Sequence, residues 1–269
     1  MLHIFLRYQL GYMGIIGKYC PDVPLLASLA LIFVYVLIPY LIGSINTAIV
    51  ISDKLYHDDI RKYGSGNAGF TNMMRTYGKK AAMITFFGDM LKTILSILIG
   101  WCVFGYLTAY IAGFACFLGH IFPVYYNFRG GKGVMCFATM LFMLDWRIFL
   151  ILLVMFVLLV AATKYISFGS VICAMLYPII LNRMNDTGIR MIEFIAMAMA
   201  VIIVIKHWGN LKRIFEGTES KFEFKKSKKL PDEEAAEEEP EPEAEKKPVR
   251  VNYGALPGTP QKNQKKKKK

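Results

Sequence analysis

The sequence predicts an all-α integral membrane protein of about seven transmembrane helices, with its N-terminus outside and its C-terminus in the cytoplasm. Three observations carry that reading. Of the 269 residues, 55% are apolar and 19% charged, and the mean hydropathy is +0.40. Soluble domains hold roughly 45–50% apolar and about 25% charged residues. The apolar residues fall in runs long enough to cross a bilayer, and Lys and Arg gather in alternate connecting segments. A water-soluble enzyme is excluded.

A spanning helix takes about 20 predominantly apolar residues, with roughly 17–25 as the working range. The run over 25–52 meets this outright, and 81–104, 106–126, 148–163 and 191–205 follow it. Runs over 134–144 and 168–181 are shorter, and each fits a re-entrant or half-buried helix as well as a span. With them the count is seven. Segment 1–24 carries Arg7 and Lys18 but no clean apolar stretch before a small-residue cleavage site, which predicts an interfacial extension rather than a signal peptide. Residues 25–220 form the membrane domain. The tail, 221–269, has 14 Lys/Arg and 10 Asp/Glu, cannot bury a core and is predicted to be disordered.

Orientation follows from the basic residues. Segments 53–80, 127–133 and 164–167, with the stretch after the last span, hold twelve Lys/Arg, from Lys54 and Arg61 through Lys164 to Arg213. The other side holds five: Arg7, Lys18, Arg147, Arg183 and Arg190. The excess sets the first group in the cytoplasm. It also accounts for the net charge of +12 without a nucleic-acid partner. The five cysteines are scattered with no C-x-x-C spacing, so neither a disulfide framework nor a zinc site is indicated.

Four polar clusters fall on that one side. Residues 61–75, RKYGSGNAGFTNMMR, place Gly64, Gly66 and Gly69 among Ser65, Asn67, Thr71 and Asn72, between Arg61 and Arg75. Glycines let a backbone approach an anion closely, hydroxyls and amides donate, and guanidinium matches phosphate bidentately. A tight structural loop is the plainer alternative, and no G-K-[ST] closes the pattern into a Walker A loop. The second cluster is GHIFP at 119–123 with Gly130, Gly131, Lys132 and Gly133 at a helix start, where free N–H groups and the dipole favour anions. In the third, Ser167 and Ser170 fit helix caps as well as ligand groups. In the fourth, His207 and Asn210 share a helix face just beyond the last span, followed by Arg213 and Glu219. Within the spans, Asp89 and Lys92 sit three apart, where an ionised group costs roughly 2.5–3.5 kcal/mol to insert, so they pair or line a polar cavity. Ser44, beside Gly43, Asn46 and Thr47, makes the inner end of the first span polar. Together these segments suit a phosphate-bearing substrate presented beside a lipid tail.

In this order the motifs resemble one family. Gly43-Ser44 with Asp59–Asn72 and Arg75 looks like its first motif. Gly119-His120-x-Phe-Pro123 with Gly130-Gly-Lys-Gly-Val134 is similar to the second, and His207-x-x-Asn210 with Arg213 and Gly217-Thr-Glu219 to the third. The family is PlsY, the acyl-phosphate:glycerol-3-phosphate acyltransferases of bacterial membranes, and the likeness runs over 25–221. Three departures stand out: Asn46 where the family has Pro, Cys136 after Met135 where it has Ala-Thr, and Trp208 where it has Arg. The last removes a cation and bears on substrate affinity rather than on reaction class.

The resemblance implies acyl transfer from acyl phosphate to the sn-1 hydroxyl of glycerol 3-phosphate by a multi-pass enzyme of the bacterial plasma membrane. Its active site would be cytoplasmic, it would work as a monomer, and it would need no metal or other cofactor. It implies Ser44, Arg61, Lys132, His207 and Asn210 as catalytic residues. Arg61, Gly64, Ser65, Gly66, Asn67, Thr71, Asn72, Arg75, Gly130, Gly131, Lys132, Gly133, Ser167 and Ser170 would hold phosphate, supported by Asp89, Lys92, His120, Arg213 and Glu219. His207 would serve as orienting group or general base. The H-x4-D pattern of other glycerolipid acyltransferases is absent: position i+5 from each histidine is Tyr8, Lys62, Tyr125 or Lys212. The competing reading is a transporter or lipid flippase, against which stand the absence of an internal repeat and the one-sided placing of the polar motifs.

Overall fold

A computed structural model describes residues 30–185 and 187–221. The extension 1–24 and all of the tail but Lys221 lie outside the described residues. The first span is interrupted. A π turn at Phe33–Leu37 runs into α1, Ile38–Ser44, which stops because Ile45 and Asn46 take extended backbone angles. Asn46 restarts the chain as α2, Thr47–Tyr56, by accepting a hydrogen bond from the Ile49 N–H at 3.2 Å. A proline, the family's usual residue there, has no side-chain acceptor for this cap. The break leaves the Ile45 carbonyl without its helical partner, and the Lys92 ammonium donates to it at 2.9 Å.

A loop and the short α3, Phe70–Thr76, lead to α4, Gly78–Phe104. Then come α5, Tyr106–Ile121, α6, Val134–Leu144, α7, Trp146–Thr163, α8, Ile166–Met184, and α9, Arg190–Phe215. Among the described residues six helical stretches are long and apolar enough to cross a membrane, the first being Ala30–Tyr56. The seventh apolar run is α6, whose 11 residues rise only roughly 16 Å, about half a bilayer core. The last apolar run ends near Ile205, yet α9 continues ten residues further, because its inner face still buries His207 and Asn210 while Ile205, Trp208 and Phe215 face outward. His207 and Asn210 therefore share a helix face, as their spacing predicts, on the same continuous helix as the last apolar run.

Packing is closest where side chains vanish. A Cβ on Gly43 would fall 2.1 Å from the Cys116 carbonyl oxygen, and one on Gly119 would fall 2.1 Å from that of Tyr40, so α1 and α5 cross backbone to backbone. One apolar cluster, including Tyr110, Phe117, Met140, Tyr177 and Met199, joins α5, α6, α8 and α9. A second, including Ile49, Ile60, Ala68, Met73 and Tyr77, forms the floor of the glycine-rich loop. At the far end of the bundle, where α6 turns into α7, Asp145 accepts hydrogen bonds from the hydroxyls of Tyr106, Tyr110 and Tyr177.

Candidate active site

A cavity of about 610 Å3 lies between α3, α4, α6, α7, α8 and α9. One end is polar, lined by Ser65, Asn67, Thr71, Asn72, Arg75, Asp89, His120, Lys132, Gly133, Ser167, Ser170, His207, Asn210 and Glu219. The other is a groove of apolar side chains, among them Phe86, Val134, Phe137, Phe142, Phe149, Leu152 and Phe156. All four sequence clusters thus meet at one site.

Glu219 is its hub. The carboxylate accepts from Asn210 Nδ2 at 2.6 Å, Arg213 Nε at 2.8 Å and Ser167 Oγ at 3.1 Å, tying α8 and α9 to the chain that follows α9. Burial pushes this carboxyl up, but the donors Asn210, Arg213 and Ser167 outweigh it and hold the group below its ordinary value. Asn210 in turn accepts from Lys132 Nζ. Burial lowers the Lys132 ammonium to about 8, with Glu219 opposing and Arg213 and Arg75 adding to the shift. Arg75 donates to the Ser220 carbonyl at 2.8 Å, and burial lowers its pKa, though a guanidinium stays charged. The His207 Nδ1–H donates to the Ile203 carbonyl at 2.8 Å, which fixes the tautomer and leaves Nε2 as an acceptor. Trp208 is 69% exposed, so the departure from the family at that position does not touch the cavity.

Several predicted residues stand behind this surface. Arg61 does not line the cavity. Its guanidinium grips Asp59 at 2.8 Å and donates to the carbonyls of Tyr126 and Arg129 at 3.2 and 3.1 Å, clipping the first loop to the second. That hydrogen bond to Asp59 raises the Arg61 pKa, with burial opposing it, and the same contact lowers that of Asp59. Ser44 is buried; its hydroxyl donates to the Tyr40 carbonyl at 2.9 Å and accepts from the Val124 N–H at 3.4 Å. Gly64 and Gly66 adopt positive φ, and Asn72 secures the loop around them: it accepts from the Ser65 N–H and donates to the Ile60 and Tyr63 carbonyls. Gly130, Gly131, Lys92 and Arg213 also sit behind the lining. Ser170 donates to the Ile166 carbonyl, and neither it nor Ser167 caps α8, so the capping alternative fails. Asp89 and Lys92 both pair, at 2.8 Å, and reach the cavity, through Asp89.

The apolar groove was not readable in the sequence. Its phenylalanines and leucines are indistinguishable by type from those that face lipid, and only the burial of one helix face against another separates them.

Comparison with known proteins agrees with this arrangement. Residues 33–217 match the family model for glycerol-3-phosphate acyltransferases. A glycerol-3-phosphate acyltransferase of Finegoldia magna is 42% identical over 186 residues, covering 68% of this chain and 91% of its own. One from Trichlorobacter lovleyi is 40% identical over 186 residues, covering 68% and 93%. The crystal structure of PlsY (YgiH), an integral membrane glycerol 3-phosphate acyltransferase in its glycerol 3-phosphate form, superposes with a TM-score of 0.65 at 31% identity, over 70% of this chain and 94% of that one. A matching family model over more than half the length, a helical bundle of the same architecture and three motifs meeting at one cavity lead to a single assignment: this chain belongs to the PlsY family of glycerol-3-phosphate acyltransferases.

Proposed function

We propose that this chain transfers a fatty acyl group from acyl phosphate to the sn-1 hydroxyl of glycerol 3-phosphate, giving lysophosphatidic acid and inorganic phosphate at the cytoplasmic face of a bacterial plasma membrane. The observation that carries the reading is the single cavity in which a cationic, amide- and hydroxyl-rich end continues into an apolar groove. One end suits two phosphates, and the other a fatty chain. The positive-inside bias of the loops supports the cytoplasmic side. A related crystal structure is described as the lysophosphatidic acid form of PlsY, at 29% identity, which fits the proposed product.

In this scheme the hydroxyl oxygen of glycerol 3-phosphate attacks the acyl carbonyl carbon. A C–O bond forms, the C–O bond to phosphate breaks, and the electron pair departs with the phosphate, which also takes the hydroxyl proton. Lys132, Arg75 and the loop N–H groups hold the phosphates and offset charge that develops on the carbonyl oxygen; pre-placed donors of this kind supply several kcal/mol. The Nε2 acceptor of His207 orients the attacking hydroxyl, because acyl phosphate is activated already and a strong base is not required. Asn210, Ser167 and Ser170 complete the positioning, itself a large term for two small reactants. Arg61, Ser44 and Asn72 act one step back, holding the loops.

The test is phosphate release from detergent-solubilised protein given palmitoyl phosphate, with and without glycerol 3-phosphate, beside Lys132→Ala. Release that requires glycerol 3-phosphate and is lost in the variant supports the reading. Transfer from acyl-CoA alone discards the donor. With folded protein, transfer from neither donor returns the transporter reading.

A further inference from the structure

The buried ion pair of α4 reaches the cavity through one atom. Lys92 Nζ lies 2.8 Å from Asp89 Oδ1 and 2.9 Å from His120 Nδ1, while Asp89 is 3.6 Å from that ring nitrogen. Asp89, Lys92 and His120 are 1%, 6% and 3% exposed. An ammonium donates and cannot accept, so in the 2.9 Å contact Nδ1 must be the acceptor. The ring N–H therefore sits on Nε2.

Nε2 lies against the second glycine loop. A Cβ built on Gly131 would fall 2.1 Å from His120 Nε2 and 2.7 Å from the Ala68 carbonyl oxygen. Among the described residues Nε2 has no hydrogen-bond partner, and His120 lines the cavity. The loop is pinned to the end of α5 by Gly130 N–H to the Ile121 carbonyl at 3.2 Å and Gly131 N–H to the His120 carbonyl at 3.1 Å. Among the described residues the next N–H groups, on Lys132 and Gly133, have no backbone acceptor, and α6 starts at Val134 without a side-chain cap. A helix start with open N–H groups, the Lys132 ammonium and the unpartnered ring N–H of a histidine that is itself 3% exposed and lines the cavity thus converge.

We propose that His120 is an anion-binding residue of this site. Its Nε2–H donates to an oxygen of the phosphoryl group seated on the Gly130–Gly133 loop, and Lys92 and Asp89 are positioning residues that hold the ring in the donating tautomer. This deepens the acyltransferase reading and rests on it. The phosphoryl group belongs either to acyl phosphate or to glycerol 3-phosphate, and the Michaelis constant that moves identifies which. His207 offers the complementary arrangement, with Nδ1 donating to a carbonyl and Nε2 left as an acceptor. One cavity is thereby lined by a histidine donor and a histidine acceptor that are not interchangeable.

Two measurements test this. The first is the 15N spectrum of the histidine rings in the solubilised wild-type protein, with the His120 signals assigned by their loss in H120Q. The expected result is a protonated Nε2 and a bare Nδ1. The second is steady-state kinetics. H120A is expected to raise KM for one of the two phosphate substrates about 10- to 150-fold, the range for a hydrogen bond to a charged group. H120Q, whose amide nitrogen reaches the place of Nε2, is expected to recover most of the loss; H120N, whose amide reaches only the place of Nδ1, is not. A ring protonated at Nδ1, folded H120A with both KM values unchanged, or H120Q as impaired as H120A each overturns the proposal. Should H120A fail to fold, the spectrum and the Gln–Asn comparison still decide. A wild-type protein that transfers no acyl group overturns the reaction instead, and the spectrum then judges the tautomer alone.

Discussion

Lys132 gives the site its sharpest dependence on pH. Burial, with Arg213 and Arg75 adding to it and Glu219 opposing, brings its pKa down to about 8, against about 10.4 for a lysine in water. At that value roughly nine-tenths of empty sites carry the charge at pH 7, about half at pH 8 and about one-tenth at pH 9. The ratio kcat/KM reports free enzyme and free substrate, so it is expected to fall about tenfold from pH 7 to pH 9. Lys132→Arg keeps a cation that does not titrate in this range, and its profile should stay flat to pH 9 whatever its plateau. Lys132→Met removes a charge-assisted hydrogen bond worth about 1.5–3 kcal/mol, or about 10- to 150-fold in kcat/KM, and the limb with it. The folding equilibrium responds with the opposite sign. Between about pH 8 and about 10.4 the unfolded chain holds the extra proton, so this residue makes the fold more stable as pH rises through that window. The assay is the initial rate of phosphate release at constant ionic strength across the pH range. A wild-type profile flat through pH 9, or a limb near pH 8 that survives in Lys132→Arg, refutes the reasoning.

Two further outcomes follow from groups behind the cavity surface. Asp89→Asn leaves the Lys92 ammonium buried without its counter-ion, which is expected to cost about 3–5 kcal/mol; the double change of Asp89 and Lys92 to Leu should lower the thermal midpoint less, and an equal or larger drop would count against a paired charge. Arg61→Lys cannot span Asp59, Tyr126 and Arg129 together, so both KM values should rise and the thermal midpoint should fall, at a cost of about 1–3 kcal/mol. An increase in one KM alone with an unchanged midpoint would make Arg61 a ligand group rather than a clip.

How much of this was legible in the sequence depends on contrast. Asp89 was readable because a polar residue inside an apolar run demands a partner, and His207 and Asn210 because their i, i+3 spacing sets them on one helix face. The glycines at 64, 66 and 130–133 were readable as loops near an anion, but not which of them line the cavity. Arg61 and Ser44 show the limit of reading by residue type: each has one local partner, Asp59 or the Tyr40 carbonyl, but the contacts that tie Arg61 to Tyr126 and Arg129 and Ser44 to Val124 cross 65 to 80 positions, which no local spacing reveals. The break at Ile45–Asn46 was hidden for a related reason. A capping Asn within an apolar run reads as part of a polar helix end until the Lys92 ammonium, 47 positions on, is seen to take the freed carbonyl. The extent of α9 beyond Ile205 depends on burial of one face only, which total hydropathy averages away.

α7 is the element that protein contacts hold least. Only 11% of its residues are buried, against 67% for the span Tyr106–Tyr126, and its 18 residues rise about 27 Å, close to the roughly 30 Å of a hydrocarbon core. With so little of it held by protein, its inclination is expected to respond to the thickness of the surrounding lipid. Because Phe149, Leu152, Leu153 and Phe156 of this helix form one wall of the apolar groove, the width of the groove is expected to follow that response. A membrane thickened by longer chains stands α7 upright, and one thinned by shorter chains lays it over. On the proposed function this groove receives the acyl tail, and the composition of the membrane is then expected to act on the enzyme as a mechanical input.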